Sequence, residues 1–278
     1  MDVRRVLKEI MSQSEIKNPK TDIDYYVDGI LYCGKCHTRK QVPITVADEI
    51  YCPYCLCECK VKERDEQEKI QKLKEAEEAK KQRVEMLKSI SMMSSKVQNN
   101  TFEKWIGNEK EKSVCEKYCD TFSERMMKNQ GLLFYGNSGS GKTFAASCIA
   151  NCLIEKGYSV LMSSFARLVN VTGTEIYSMI DSMSSADLLI MDDLGAERNS
   201  SYAVERVWQI VDSRLLQNKP LIVTTNLTVT EMKNVEDYNY LRIYQRIFEM
   251  CYPVPFSGKS YRLDTAKDNF YELKEILG

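Results

Sequence analysis

Charge of one sign is what this 278-residue chain most lacks: 39 Lys and Arg stand against 40 Asp and Glu, a formal net charge of −1. There is no global attraction to nucleic acid, so any DNA contact needs a local basic surface. No apolar run approaches the length of a membrane span, which argues against a membrane partner. Met1-Asp2-Val3-Arg4-Arg5 lacks the apolar core of a secretory signal, and no internal repeat is visible. The expectation is a cytoplasmic protein. In a reducing compartment its eleven cysteines read as metal ligands or small buried hydrophobes rather than disulfides. Histidine is nearly absent too: His37 is the only one.

The chain does have G-x-x-x-x-G-K-T, spelled by Gly136, Asn137, Ser138, Gly139, Ser140, Gly141, Lys142 and Thr143. An apolar run at 132–135 precedes it and a helix-prone run at 144–155 follows, the strand–loop–helix context of a phosphate-binding P-loop. The glycines let backbone N–H groups turn inward, and the helix N-terminus adds partial positive charge. Lys142 is expected to reach the β- and γ-phosphates of ATP, and Thr143 to ligate Mg²⁺. About fifty residues later, Leu188-Leu189-Ile190-Met191-Asp192-Asp193 is an apolar strand ending in two carboxylates. Asp192 would hold Mg²⁺ and Asp193 would orient the attacking water.

A further apolar strand ends in Thr224-Thr225-Asn226. At the carboxyl edge of a parallel sheet Asn226 would face the γ-phosphate. Arg242 and Arg246 lie four apart on one helical face, and Gly258-Lys259-Ser260-Tyr261-Arg262 brings another cation toward the nucleotide. For either arginine cluster taken alone, a surface ion pair is the ordinary reading.

Strand-like runs at 132–135, 159–162, 188–191, 221–225 and 252–256 alternate with helical ones, which predicts a parallel sheet covered by helices. The organisation expected is an N-terminal helix plus zinc-binding module over 1–60, a charged helical linker over 61–95 and an ATPase domain over 96–278. Val3, Val6, Leu7 and Ile10 give the first helix an apolar face. In the linker, Ile70, Leu73, Val84 and Leu87 begin a heptad seam that Glu77 and Lys80 interrupt, so a solvated connecting helix is favoured over a coiled coil.

Cys33-x-x-Cys36 and Cys52-x-x-Cys55, fifteen residues apart, have structural-zinc spacing. A segment this short barely builds a core, so Zn²⁺ would supply its folding energy. Cys57, Cys59 or His37 could replace one of the four ligands. A catalytic zinc is disfavoured because no positioned general base accompanies it. Cys115/Cys119 and Cys148/Cys152, each four apart, and Cys251 read as buried hydrophobes.

Taken in this order, Thr101-Phe102-Glu103, GNSGSGKT, LLIMDDLG, TTN, the Arg242/Arg246 helix and GKSYR resemble AAA+ helicase loaders of the DnaC/DnaI type and the related IstB-like transposition ATPases. The resemblance covers most of 96–278. It implies an α/β fold, a P-loop AAA+ parallel sheet with flanking helices, preceded by the small zinc module and the charged helix. It implies sensor roles for Asn226 and Arg262, and a finger acting in trans within a homo-oligomer, most similar to Arg246, with Arg242 second. It also implies a replicative hexameric helicase and single-stranded DNA as partners. The family's DNA-contacting insertion corresponds to 164–186, where Phe165, Arg167 and Tyr177 are candidate contacts. Equally, Phe165, Leu168 and Val169 read as a core helix face. Asp193 stands where many AAA+ proteins have Glu, a side chain one methylene longer, which suits slow turnover and a switch rather than a motor. An ATPase assisting transposition and a nucleotide-binding adaptor without catalysis are the alternative functions.

Overall fold

Short strands between turn residues build the N-terminal part of the chain. Helix α1 (Val3–Lys17) is followed by the antiparallel hairpin of β1 (Tyr25–Val27) and β2 (Ile30–Tyr32), then by that of β3 (Ile44–Val46) and β4 (Glu49–Tyr51). Asp28 and Gly29 close the first hairpin with φ of 49° and 80°, the positive pair a two-residue turn needs. This is a computed structural model that describes every residue except 1–2, 47, 171–174, 196–200, 259 and 278. It divides into two compact units, Met1–Ala79 and Lys80–Gly278.

The first unit has little apolar interior. Its buried apolar side chains among the described residues are Leu31, Cys33 and Cys57, while Val6 and Ile10 on α1 stay exposed. Val3, expected on the same face, has a side chain outside the described residues. Polar bonds take the place of a core. Lys40 Nζ donates to Asp24 Oδ2 at 2.6 Å and to Pro19 O at 2.8 Å, and both side chains are buried.

Helix α2 (Glu58–Ile90) covers most of the charged 61–95 segment, and the boundary between the units falls inside it. Ile70 and Leu73 are exposed, so the interrupted heptads form no seam. Beyond the boundary the helix belongs to the second unit. Leu87 is buried there and Arg83 donates to Gly157 O at 3.2 Å.

Short helices α3 (Ser95–Gln98), α4 (Glu109–Asp120) and α5 (Phe122–Met127) lead to β5 (Gly131–Gly136) and α6 (Lys142–Glu155). Then come β6 (Val160–Ser164), α7 (Phe165–Asn170), α8 (Glu175–Ser185), β7 (Leu188–Leu194), α9 (Ser201–Leu216) and β8 (Leu221–Thr225). The chain closes with α10 (Val229–Lys233), α11 (Tyr238–Met250), β9 (Cys251–Phe256) and α12 (Tyr261–Leu277). All five expected strands are present, in one parallel sheet of order β6-β7-β8-β5-β9. Alternation splits each strand between two cores: Leu132 and Phe134 enter one with α4 and α6, Leu133 enters the other with α9 and α11. Among the described residues no helix is long and apolar enough to cross a membrane.

Arg214 of α9 joins three elements. It is fully buried and, among the described residues, meets no carboxylate within bonding distance. Nη1 donates to Met183 O, Ser184 O and Ala186 O at 3.2, 3.0 and 2.7 Å. Nη2 donates to Asp187 O and Pro220 O at 3.4 and 2.6 Å. These carbonyls end α8 and begin β7 and β8, groups a helix terminus leaves unpaired. Arg214→Leu takes the guanidinium donors from these oxygens, with Pro220 O still accepting from Leu189 N at 3.4 Å, and we expect a stability loss of at least about 3 kcal/mol in urea denaturation. A loss under about 1 kcal/mol would show that water replaces the guanidinium.

Candidate nucleotide and metal sites

The carboxyl ends of β5, β7 and β8 lie side by side, and the expected nucleotide residues meet there. Gly136, Gly139 and Gly141 adopt φ of 135°, 79° and 98°, which turns the loop back on itself before α6 begins. At Gly139 a Cβ would collide with the Ser260 side chain, because Tyr261 N donates to Gly139 O at 3.0 Å and brings the start of α12 onto the loop. Asn137, Ser138 and Ser140 complete the loop, with Ser140 buried.

Lys142 Nζ lies inside the loop, donating to Gly136 O and Asn137 O at 2.8 Å each and to Asn226 Oδ1 at 2.9 Å. Asn226 Nδ2 in turn donates to Asp193 Oδ1 at 3.3 Å. Thr143 Oγ1 donates to the two carboxylate oxygens of Asp192 at 2.9 and 3.1 Å. Lys142, Thr143, Asp192, Asp193 and Asn226 thus form one polar cluster. Burial lowers the pKa of Lys142, against the opposing charges of Asp193 and Asp192. Burial raises that of Asp192, against hydrogen bonds from Thr224 and Thr143. Arg262, in the first turn of α12, is exposed, and its charge acts on both Lys142 and Asp192. Lys259, read with it from the sequence, lies outside the described residues. Two cavities of about 490 and 570 Å³ lie elsewhere on this unit, and neither includes a P-loop residue.

The strand carrying the two aspartates differs from its sequence reading. It runs on through Leu194, and its register against β8 shifts between Met191 and Leu194. Asp193 sits at the shift with φ of 62°. Nothing in the residue pattern signals this bulge. Thr224 was also missed as a member of the cluster, since TTN was read for its asparagine alone.

Arg246 is not brought to this cluster. It faces Asp212 at 3.6 Å and Glu249 at 3.4 Å, and both it and Arg242 lie over the Trp208 ring, with their guanidinium carbons 5.8 and 4.3 Å from its centroid. In the 164–186 stretch Phe165 and Leu168 are fully buried against β7 and α9, so Phe165 belongs to the core and not to a stacking surface. Tyr177 is exposed, Arg167 donates to Met92 O at 3.3 Å, the Val169 side chain is outside the described set, and so are residues 171–174.

In the first unit the sulfurs of Cys33, Cys36, Cys57 and Cys59 all lie within 4.8 Å of one another. Cys33 and Cys36 are where the spacing put them, whereas Cys57 and Cys59 take the places expected for Cys52 and Cys55. The reason is backbone pairing. Val42 N donates to Pro53 O at 3.1 Å and Cys55 N to Lys40 O at 2.7 Å, so 52–55 lies extended along 40–42 and does not form a knuckle. Cys57 instead opens α2, accepting from Lys60 N and Val61 N at 3.0 and 2.9 Å. His37 turns away, its Nδ1 3.0 Å from the Tyr25 hydroxyl. Opposite the cluster, Asp24 Oδ1 accepts from Gly34 N at 3.1 Å and so fixes the first knuckle. A Cβ on Gly34 would strike the Ile23 carbonyl.

The donor set suits zinc. Tetrahedral Zn–S bonds of about 2.3 Å put sulfurs about 3.8 Å apart. Cys33 and Cys57 are 3.7 and 3.3 Å from Cys59. Four thiols with no open position describe a structural ion rather than a catalytic one. The C-x-C pair of Cys57 and Cys59, at the start of α2, is the sequence signal for this set.

The IstB-like ATP binding protein family matches residues 61–269. The chain is 28% identical over 150 residues to the replicative helicase loader DnaI of Bacillus subtilis (strain 168), covering 49% of this chain and 48% of that protein. It is 31% identical over 137 residues to the replicative helicase loader DnaC of Buchnera aphidicola subsp. Schizaphis graminum (strain Sg), covering 46% and 54%. The chain therefore spans about half the length of the curated relatives it matches. A crystal structure of DnaI superposes with a TM-score of 0.52 at 24% identity, over 61% of this chain and 94% of that one, and so shares its fold.

Metal content separates the two cysteine sets. Cys57→Ser and Cys59→Ser are expected to lower bound zinc, measured by atomic emission on purified protein, to well under half of the parent. Cys52→Ser and Cys55→Ser are expected to keep it. The reverse pattern restores the ligand set read from spacing.

Proposed function

Because the chain belongs to the IstB-like ATP binding protein family, we propose that its second unit is a slow P-loop ATPase acting as a switch that delivers a replicative hexameric helicase to DNA. The observation that carries the ATPase reading is the hydrogen-bonded cluster from Lys142 through Asn226 to Asp193, beside Thr143 and Asp192. Residues Gly136 to Thr143 enclose the triphosphate. Lys142 exchanges two loop carbonyls and the Asn226 amide oxygen for β- and γ-phosphate oxygens. The freed Asn226 amide then faces the γ-phosphate, and Asp193 orients the attacking water. Thr143 and Asp192 would hold Mg²⁺, which when bound would supply positive charge beside the phosphate oxygens. Arg262 adds positive charge from within the same chain.

Arg246 serves as the trans finger of a neighbouring copy, with Arg242 second. Its contacts to Asp212 and Glu249 are partly exposed ion pairs, worth under about 1 kcal/mol, so turning it toward a neighbour's nucleotide is inexpensive. The first unit, held by Zn²⁺ on its cysteines, docks the helicase. Its exposed Ile16, Ile23, Tyr26 and Ile50 supply apolar contact area. Single-stranded DNA is met through α7 and α8, where exposed Tyr177 offers a stacking ring and Arg167 a cation. The relatives' role as replicative helicase loaders supports the choice of partner.

Asp192→Ala is expected to lower ATP turnover at least about a hundredfold while nucleotide affinity in the absence of Mg²⁺ stays within a few-fold. Parental turnover in that variant removes the site assignment. Arg246→Ala is expected to keep nucleotide affinity and slow turnover only at protein concentrations where copies assemble. Co-purification with a hexameric replicative helicase in ATP, and phosphate release with and without single-stranded DNA, test the loader role. Capture of a transposase in place of the helicase would assign the chain to transposition, and no phosphate release under any condition would leave a nucleotide-binding adaptor.

A further inference from the structure

Successive side chains of a regular strand point to opposite faces. Asp192 and Asp193 are successive, yet both reach the nucleotide cluster: Asp192 accepts from Thr143, and Asp193 accepts from Asn226 and acts on Lys142. The register shift between Met191 and Leu194 resolves this, with Asp193 turned into the left-handed region at φ 62°. That conformation is uncommon outside glycine, although aspartate tolerates it better than most residues, and inside a strand it needs a partner for the displaced backbone.

One hydroxyl holds it. Thr224 Oγ1 accepts from Asp193 N at 2.9 Å and donates to Asp192 Oδ1 at 2.6 Å. The hydroxyl's one hydrogen and one of its lone pairs are spent on the two neighbouring aspartates, and Thr224 is only 1% exposed, so water does not compete. The next threonine does different work. Thr225 Oγ1 donates to Leu194 O at 2.8 Å and accepts from Leu227 N at 3.1 Å, stapling the end of β8. Asp192 has two hydroxyl donors, Thr143 and Thr224, and only Thr224 lies outside the P-loop.

We propose that Thr224 is the positioning residue that lets two consecutive aspartates serve one site, by orienting the Asp192 carboxylate and fixing the left-handed backbone at Asp193. The proposal rests on the ATPase reading above. It also accounts for the short Asp193 side chain: the bulge carries its carboxylate toward the cluster where a regular strand would turn it away.

The test compares Thr224→Val, which keeps the branched shape and removes the hydroxyl, with Thr224→Ser, which keeps the hydroxyl. Full-length protein is assayed for ATP hydrolysis across a Mg²⁺ titration, and for binding of a fluorescent ATP analogue in EDTA. Loss of an orienting partner of a metal ligand typically costs about 10–100-fold. We expect Thr224→Val to lower kcat about 10–100-fold and to raise the half-saturating Mg²⁺ about tenfold. Analogue binding in EDTA is expected within about twofold of the parent, and the Ser variant within about threefold of parental kcat. Thr224→Ala, which removes the same two bonds, is measured beside it so that misfolding of one variant does not decide the outcome.

Parental kcat and Mg²⁺ requirement in the Val and Ala variants overturn the proposal. So does a loss of analogue binding in EDTA that matches the loss of rate, which marks general damage. If the parent itself releases no phosphate, the ATPase reading fails separately. The Mg²⁺-dependent gain in analogue affinity then tests Thr224 alone, and its retention in Thr224→Val overturns the positioning role.

Discussion

Asp192 is the point through which the second unit's architecture and its chemistry meet. The carboxylate sits at the end of a buried strand, and burial works against its charge. What keeps it usable is two hydroxyls, one from the P-loop helix and one from the adjacent strand. A buried acid costs little only when its oxygens are satisfied. The sheet order that sets β8 between β7 and β5 is therefore a requirement of the site as much as of the core. It brings Thr224 to one side of Asp192 and the loop bearing Thr143 to another.

The two units solve the stability problem differently. The second has two continuous apolar layers, one on each face of the sheet. Among the described residues, the first has Leu31, Cys33 and Cys57 as its buried apolar side chains and a buried Lys40–Asp24 pair, which ordinarily is weak support. Four converging thiols are what remains to hold it, and Asp24 spends its second oxygen on the backbone of the first knuckle. Ion pair and cysteine cluster are in effect one structure, since the same carboxylate orients both.

Much of the second unit was legible in the sequence because its signals are local. Apolar runs of strand length, a glycine-rich loop at fixed spacing and carboxylates at a strand end each depend on a few adjacent residues. All five strands appear, and Lys142, Thr143, Asp192, Asp193 and Asn226 come together. What was not legible depends on partners far along the chain. The bulge at Asp193 is set by Thr224, thirty-one residues away. Cys52 and Cys55 had suitable spacing, but the ladder with 40–42 draws them into an extended segment and leaves the cluster to Cys57 and Cys59. Phe165 sat in a stretch of mixed polarity, and its full burial follows from the packing of α7 on α9. Spacing reports which geometries a segment can adopt. Competing backbone pairing decides among them.

Arg214 has a consequence of its own. Its five hydrogen bonds all end on peptide oxygens. Such acceptors neither titrate in acid nor gather a salt atmosphere, unlike the carboxylates facing Arg246. Ionic strength therefore acts unequally on the two arginines. Added electrolyte loosens the surface cation from its tethers and leaves the seam joining α8 to the sheet intact, so the mobile charge rides on a frame that stays fixed.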